Sequence, residues 1–134
     1  MTPFPLKVVT PDGVKFDAMA QELVVRTISG DVGILAGHTN LVAPLGMGRA
    51  TIIVEDQKRY AACIGGILSV KDGEVDLVPT TFEWSDEIDS ARAEESYRRA
   101  QATLNDKTSS DTDIRMAEAR LKRALIRKNV ASYK

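Results

Sequence analysis

The chain has 134 residues and a net charge of −1, a size suited to one modest core, with no global electrostatic pull toward nucleic acid or anionic lipid. Its 28% charged and 43% apolar residues are the mix of a soluble globular protein. No apolar run approaches the ~20 residues that span a bilayer, and the opening MTPFPLKVVT lacks the basic-then-apolar layout of a secretory signal. The cytoplasm is therefore the expected compartment, docking on a membrane complex included.

All nine glycines and all five prolines precede residue 85, and Ala, Arg and Glu dominate beyond it. That shift predicts a β part over 1–84 followed by an α part over 85–134. In the β part, LKVVT meets the turn signal Pro11-Asp12-Gly13, and ELVVRTI meets SGDVG. RATIIVE and RYAACIG flank DQK, a hairpin signal. GILSV and EVDLV flank Lys71-Asp72-Gly73, where Asp-Gly favours a tight hairpin. Short strands at this spacing predict an antiparallel β-sandwich or barrel, and the absence of alternating helices argues against a doubly wound parallel sheet. The lone Cys63, inside YAACIGGILSV, reads as a small buried residue.

The α part reads as two helices. Ser85 or Asp86 is placed to cap the first, which runs to about Leu104 with a thin stripe of Ile88, Ala91, Ala100 and Leu104. NDKTSSD breaks the pattern, and Ser110, Asp111 or Asp113 caps the second. There Ile114, Ala117, Leu121, Ala124, Leu125 and Lys128 form an apolar stripe. Small alanines bury little area, so this hairpin gains little from packing on itself and is a candidate mobile element.

Two arginine-rich faces stand out. At 100° per residue Asp89, Arg92, Ser96 and Arg99 share about a quarter of the first helix's circumference, and Arg120, Arg123 and Arg127 share one face of the second. Converging guanidinium groups would suit a polyphosphate, with Asp89 placed to accept from an exocyclic amine and the small Ala93 leaving room for a flat base. On spacing alone, a solvated charged face is the weightier reading. SGDVGILAGHTNLVAPL bends tightly at Gly30, Gly33 and Gly37 but is neither a Walker loop nor a dinucleotide fingerprint. Its His38 is the chain's single histidine, which leaves neither a metal set nor a nucleophilic dyad; a loop hydrogen bond is its plain role. Asp31, Ile34 and Leu35 in the same loop offer a docking surface. Trp84 reads as packing at the junction of the halves, with Glu83 beside it. No enzyme constellation emerges.

Taken together, VVTPDG, SGDVGILAGHTNLVAPL, GGILSV and the Ala/Arg-rich tail occur over the whole chain in the order found in one family: the chain resembles the epsilon subunit of F-type ATP synthases. Ala36 stands where that family often has proline, and Asp31 where glutamate is common. The resemblance implies a β-sandwich followed by an antiparallel helical hairpin, in a non-catalytic rotor-stalk subunit. Its partners would be the gamma subunit and the membrane c-ring, with the alpha/beta catalytic head added when the hairpin extends. It implies a peripheral place on the cytoplasmic face of the bacterial membrane, reached only through the complex. It assigns c-ring docking to Asp31, Ile34, Leu35 and His38. The tail would inhibit ATP hydrolysis when extended and permit it when folded down. IDSARA matches the family's ATP motif at Ile88, Asp89, Arg92 and Ala93; Glu83, Arg99, Arg123 and Arg127 match further positions of that site. ATP would be a regulatory ligand, with the part of magnesium open. The alternative is a purely structural coupling subunit without significant ATP binding.

Overall fold

The computed structural model describes residues 1–133 and divides into two compact units, Met1–Trp84 and the residues from Ser85 onward. Ten strands build the first: β1 (Phe4–Thr10), β2 (Gly13–Ala20), β3 (Glu22–Thr27), β4 (Gly30–Ile34), β5 (Leu41–Pro44), β6 (Met47–Val54), β7 (Gln57–Ile64), β8 (Ile67–Lys71), β9 (Glu74–Val78) and β10 (Thr81–Trp84). They form two five-stranded sheets, ordered β2-β1-β9-β8-β5 and β10-β7-β6-β3-β4. Alternation drives the layering. In β1, Phe4, Leu6 and Val8 are buried while Pro5 and Lys7 face out; in β9, Val75 and Leu77 are buried between exposed neighbours. These residues meet Leu23, Val25, Ile52 and Leu68 in one core.

The sandwich is antiparallel as expected except at one pair: β1 runs parallel to β9, with Leu6 beside Val75 and Val8 beside Leu77. A parallel neighbour needs a long crossover, and here the crossover is most of the unit instead of a helix. The β6–β7 loop is Glu55–Asp56, both at positive φ (50° and 62°), so Gln57 already belongs to the strand. Asp72 and Gly73 (51° and 84°) close β8–β9 as their sequence implies.

The turns Thr10-Pro11-Asp12-Gly13 and Thr27-Ile28-Ser29-Gly30 repeat one device. Each buried threonine hydroxyl donates to the glycine carbonyl (3.3 and 2.8 Å) and accepts the backbone N–H two residues on (3.1 and 3.2 Å). Gly66 in GGILSV is required for a different reason. It sits at φ +100°, and a Cβ there would collide with the Val78 carbonyl and stand 2.6 Å from the Pro79 Cα. Cys63 is buried, and burial pushes its thiol pKa up to about 12. Trp84 meets Phe82 and Phe16 edge-on (4.9 and 6.2 Å), and the Arg59 guanidinium lies 3.7 Å over its ring.

The second unit starts with a 3-10 turn, Ser85–Glu87, followed by α1 (Ser90–Asn105) and α2 (Asp111–Ala131). The cap of α1 is Asp89, not Ser85 or Asp86. The short turn delays the helix, and the Asp89 carboxylate accepts the Arg92 backbone N–H at 3.1 Å. Ser110 caps α2 in a reciprocal capping box with Asp113. The buried seam is narrower than the expected stripes. Ala93 and Ala100 are buried on α1 while Ala91 is exposed, and Ala117, Ala124 and Ala131 are buried on α2 while Leu125 is half exposed. The seam keeps a seven-residue step, and Leu125 falls 100° off it.

A four-arginine groove on the helical hairpin

Each helix contributes to a groove of about 320 Å³ along the hairpin, lined by Ser96, Arg99 and Thr103 from α1 and Arg120, Arg123 and Arg127 from α2, over a floor of Ala100, Ala117 and Ala124. The alanine floor is what opens it: residues without bulk beyond Cβ leave space that long guanidinium side chains border. The volume is at the small end of the ~300–1,000 Å³ usual for small-molecule sites. Among the described residues its wall holds four arginines and no acidic side chain, in a chain of net charge −1.

The arginines differ in their engagement. Arg99 donates to Glu95 at 2.6 Å, so part of its charge is already matched. Arg120 and Arg123 carry no ion pair among the described residues. The Thr103 hydroxyl donates to the Arg99 carbonyl at 3.2 Å, and its own carbonyl accepts from Ser109 Oγ at 2.8 Å, which ties the loop end of α1. At the other end Lys128 Nζ meets Glu94 at 2.7 Å and lies 4.2 Å from the centre of the Tyr97 ring. That hydrogen bond, reinforced by the Lys128 and Arg98 charges, holds the Glu94 carboxyl below its usual pKa against a smaller opposing effect of burial.

Of the expected nucleotide residues, the structure therefore gathers Arg99, Arg123 and Arg127. Asp89 and Arg92 are exposed at the start of α1 and outside the groove lining, with Asp89 acting as the cap. Ile88 is half-buried ahead of that cap. Ala93 is 4% exposed, so in this hairpin it is a packing residue and leaves no open space for a base. Glu83 belongs to β10 of the sandwich, opposite Ala62. Arg120 shares a face with Arg123 and Arg127 by sequence spacing alone; Thr103 carries no sequence signal that points to a groove.

The expected docking stretch is more ordered than a loop. Gly30–Ile34 is strand β4, paired with β3. Ile34 is wholly buried beside the core, which corrects its expected docking role: alternation in a five-residue strand turns it inward. Asp31 pairs with Arg26 across the strands at 3.5 Å, and Leu35 is half exposed. His38 Nδ1 lies 2.7 Å from the Thr39 carbonyl, a contact that places the ring proton on Nδ1. No cluster of metal-ligating side chains occurs among the described residues, and none of their helices is long and apolar enough to cross a membrane.

Two family models match end to end: the ATP synthase delta/epsilon chain β-sandwich domain over residues 3–85, and the long α-helix domain of the same chain over 86–132. The chain is 43% identical to an ATP synthase epsilon chain of Bacillus velezensis over 126 residues, 94% of this chain and 95% of that one. It is 42% identical to one of Ruminococcus albus over the full length of both. Its fold is similar to a chain in the Euglena gracilis mitochondrial ATP synthase (TM-score 0.84, 22% identity, covering all of this chain and 83% of the other). This chain belongs to the delta/epsilon chain family of ATP synthases.

Proposed function

We propose that the chain is a non-catalytic central-stalk subunit of an F-type ATP synthase that couples the catalytic head to the c-ring. Its sandwich binds the gamma subunit and the c-ring, and its hairpin restrains ATP hydrolysis when extended against the alpha/beta head. It is peripheral, reaching the cytoplasmic face of the membrane only through the complex. The weak alanine seam supports the regulatory arm, since a hairpin that buries little apolar surface can be displaced at small cost. Deleting residues 86–134 is expected to raise ATP hydrolysis by the assembled enzyme several-fold while assembly persists. Unchanged hydrolysis removes the inhibitory role.

The folded hairpin further serves as an ATP sensor. The observation that carries this reading is the groove: Arg99 from α1 faces it together with Arg123 and Arg127 from α2, with no acidic residue in the lining among the described residues. A ligand that binds only the folded form stabilises it by mass action, which holds the hairpin down when ATP is plentiful. ATP titrated into the isolated chain should bind, and Arg123→Ala should weaken binding at least tenfold, the scale of one lost charge-assisted contact. No binding at millimolar ATP removes the sensor role, and together with unchanged hydrolysis on deletion it leaves the purely structural coupling subunit as the function.

A further inference from the structure

Arg120 lines the groove beyond the arginines that match the nucleotide pattern, and it has no acidic partner among the described residues. The antiparallel packing gives its position. Lys128 contacts Glu94 and Tyr97, which sets that part of α2 level with the middle of α1. Passing up α1 from Ser96 to Arg99 to Thr103 therefore accompanies passing back along α2 from Arg127 to Arg123 to Arg120. At ~1.5 Å per residue, Arg120 stands about 4.5 Å past Arg123, and the ladder from Arg127 to Arg120 is about 10 Å long. A single phosphate does not span such a ladder. At the Thr103 level the threonine hydroxyl is already committed to the Arg99 carbonyl, so Arg120 supplies the donors there.

We propose that Arg120 forms an additional phosphate position at the loop end of the groove, so that the groove accepts an oligophosphate chain and distinguishes three phosphates from two. The inference rests on the reading of this groove as a phosphate site and adds the length of chain it takes. A guanidinium keeps its charge at every accessible pH and can grip two oxygens of one phosphate, which suits a terminal group with the most charge.

The test is calorimetric titration of the full chain and of Arg120→Ala and Arg120→Lys with tripolyphosphate, pyrophosphate, ATP and ADP, with far-UV circular dichroism checking that the hairpin is intact. Arg120→Ala is expected to weaken tripolyphosphate and ATP about tenfold and pyrophosphate and ADP less than twofold, with Arg120→Lys recovering part of the loss. Equal losses for long and short ligands, no loss, or a parent chain that fails to bind tripolyphosphate overturns the proposal. A parent that binds tripolyphosphate through Arg120 but ignores ATP supports this position while sinking the nucleotide-sensor reading. ATP binding untouched by Arg120→Ala does the reverse.

Discussion

The two units of this chain bury different things. The sandwich closes over Leu6, Leu23, Ile34, Ile52, Leu68 and Leu77, each at most 1% exposed. The hairpin buries Ala93, Ala100, Ala117, Ala124 and Ala131, with Val130 as its one larger buried side chain among the described residues. At ~0.8 kcal/mol per buried methylene, each alanine position contributes roughly 2 kcal/mol less than a leucine position. Per position, the hairpin's alanine seam therefore contributes less apolar burial to its closure than the sandwich core contributes to its own.

The largest expected effect lies in the scaffold. Leu68→Ala should destabilise the sandwich by ~2–5 kcal/mol, read as a lowered urea midpoint. Ala93→Leu, at a buried position outside the groove lining, probes the other side of the comparison. If the seam is close-packed, the added bulk should cost ~1–3 kcal/mol and expose the hairpin to limited proteolysis while the sandwich resists. A hairpin that accepts leucine there without loss breaks the contrast, because it would show room along the seam.

Much of this was legible in the residues. The alternation of FPLKVVT and EVDLV, the Asp72-Gly73 turn and the loss of Gly and Pro after residue 84 give strands, turns and the change of class directly. The parallel β1–β9 pair was not, since pairing partners so far apart leave no local trace. Ile34 misleads because a short glycine-bearing segment reads as a loop until the sheet supplies its partner. Asp89 is ambiguous for a chemical reason: Ser85, Asp86 and Asp89 are all good caps, and only the intervening 3-10 turn selects the last. The groove was half legible. Spacing gives the arginine stripe on α2, whereas the Glu95 contact to Arg99, and the absence of one at Arg123 and Arg120 among the described residues, depend on side-chain geometry.

Asp89 also offers a sharper cut at the hairpin. Asp89→Ala should cost the hairpin about 1 kcal/mol through loss of the cap, measured as reduced helicity under mild denaturant. Asn caps as well as Asp, so Asp89→Asn should restore helicity. If Asp89→Asn restores helicity yet still weakens ATP binding, the carboxylate has a role in the ligand site beyond ending the helix. If binding is restored as well, capping is its whole contribution.

The smallest effect is electrostatic and specific to the hairpin. Glu94 is held below its usual pKa of 4.5 first by the hydrogen bond from Lys128, then by the Lys128 and Arg98 charges. A carboxyl whose pKa is depressed on folding contributes its stability above the unfolded value and loses it as pH falls through the folded value. Hairpin helicity should therefore hold from neutral pH down to about 4.5 and decline only below it. Asp106 titrates in the same direction, because the Thr108 backbone N–H and hydroxyl stabilise its charged form. The parent must accordingly be compared with Glu94→Gln, in which only the first group is silenced. The difference in helicity between the two should be largest at neutral pH and vanish in acid, and added salt should shrink it, since the pair is partly exposed. A difference that persists unchanged through pH 3 would mean that Glu94 acts through the packing of its side chain, and that the Lys128 contact is a consequence of hairpin closure with no part in maintaining it.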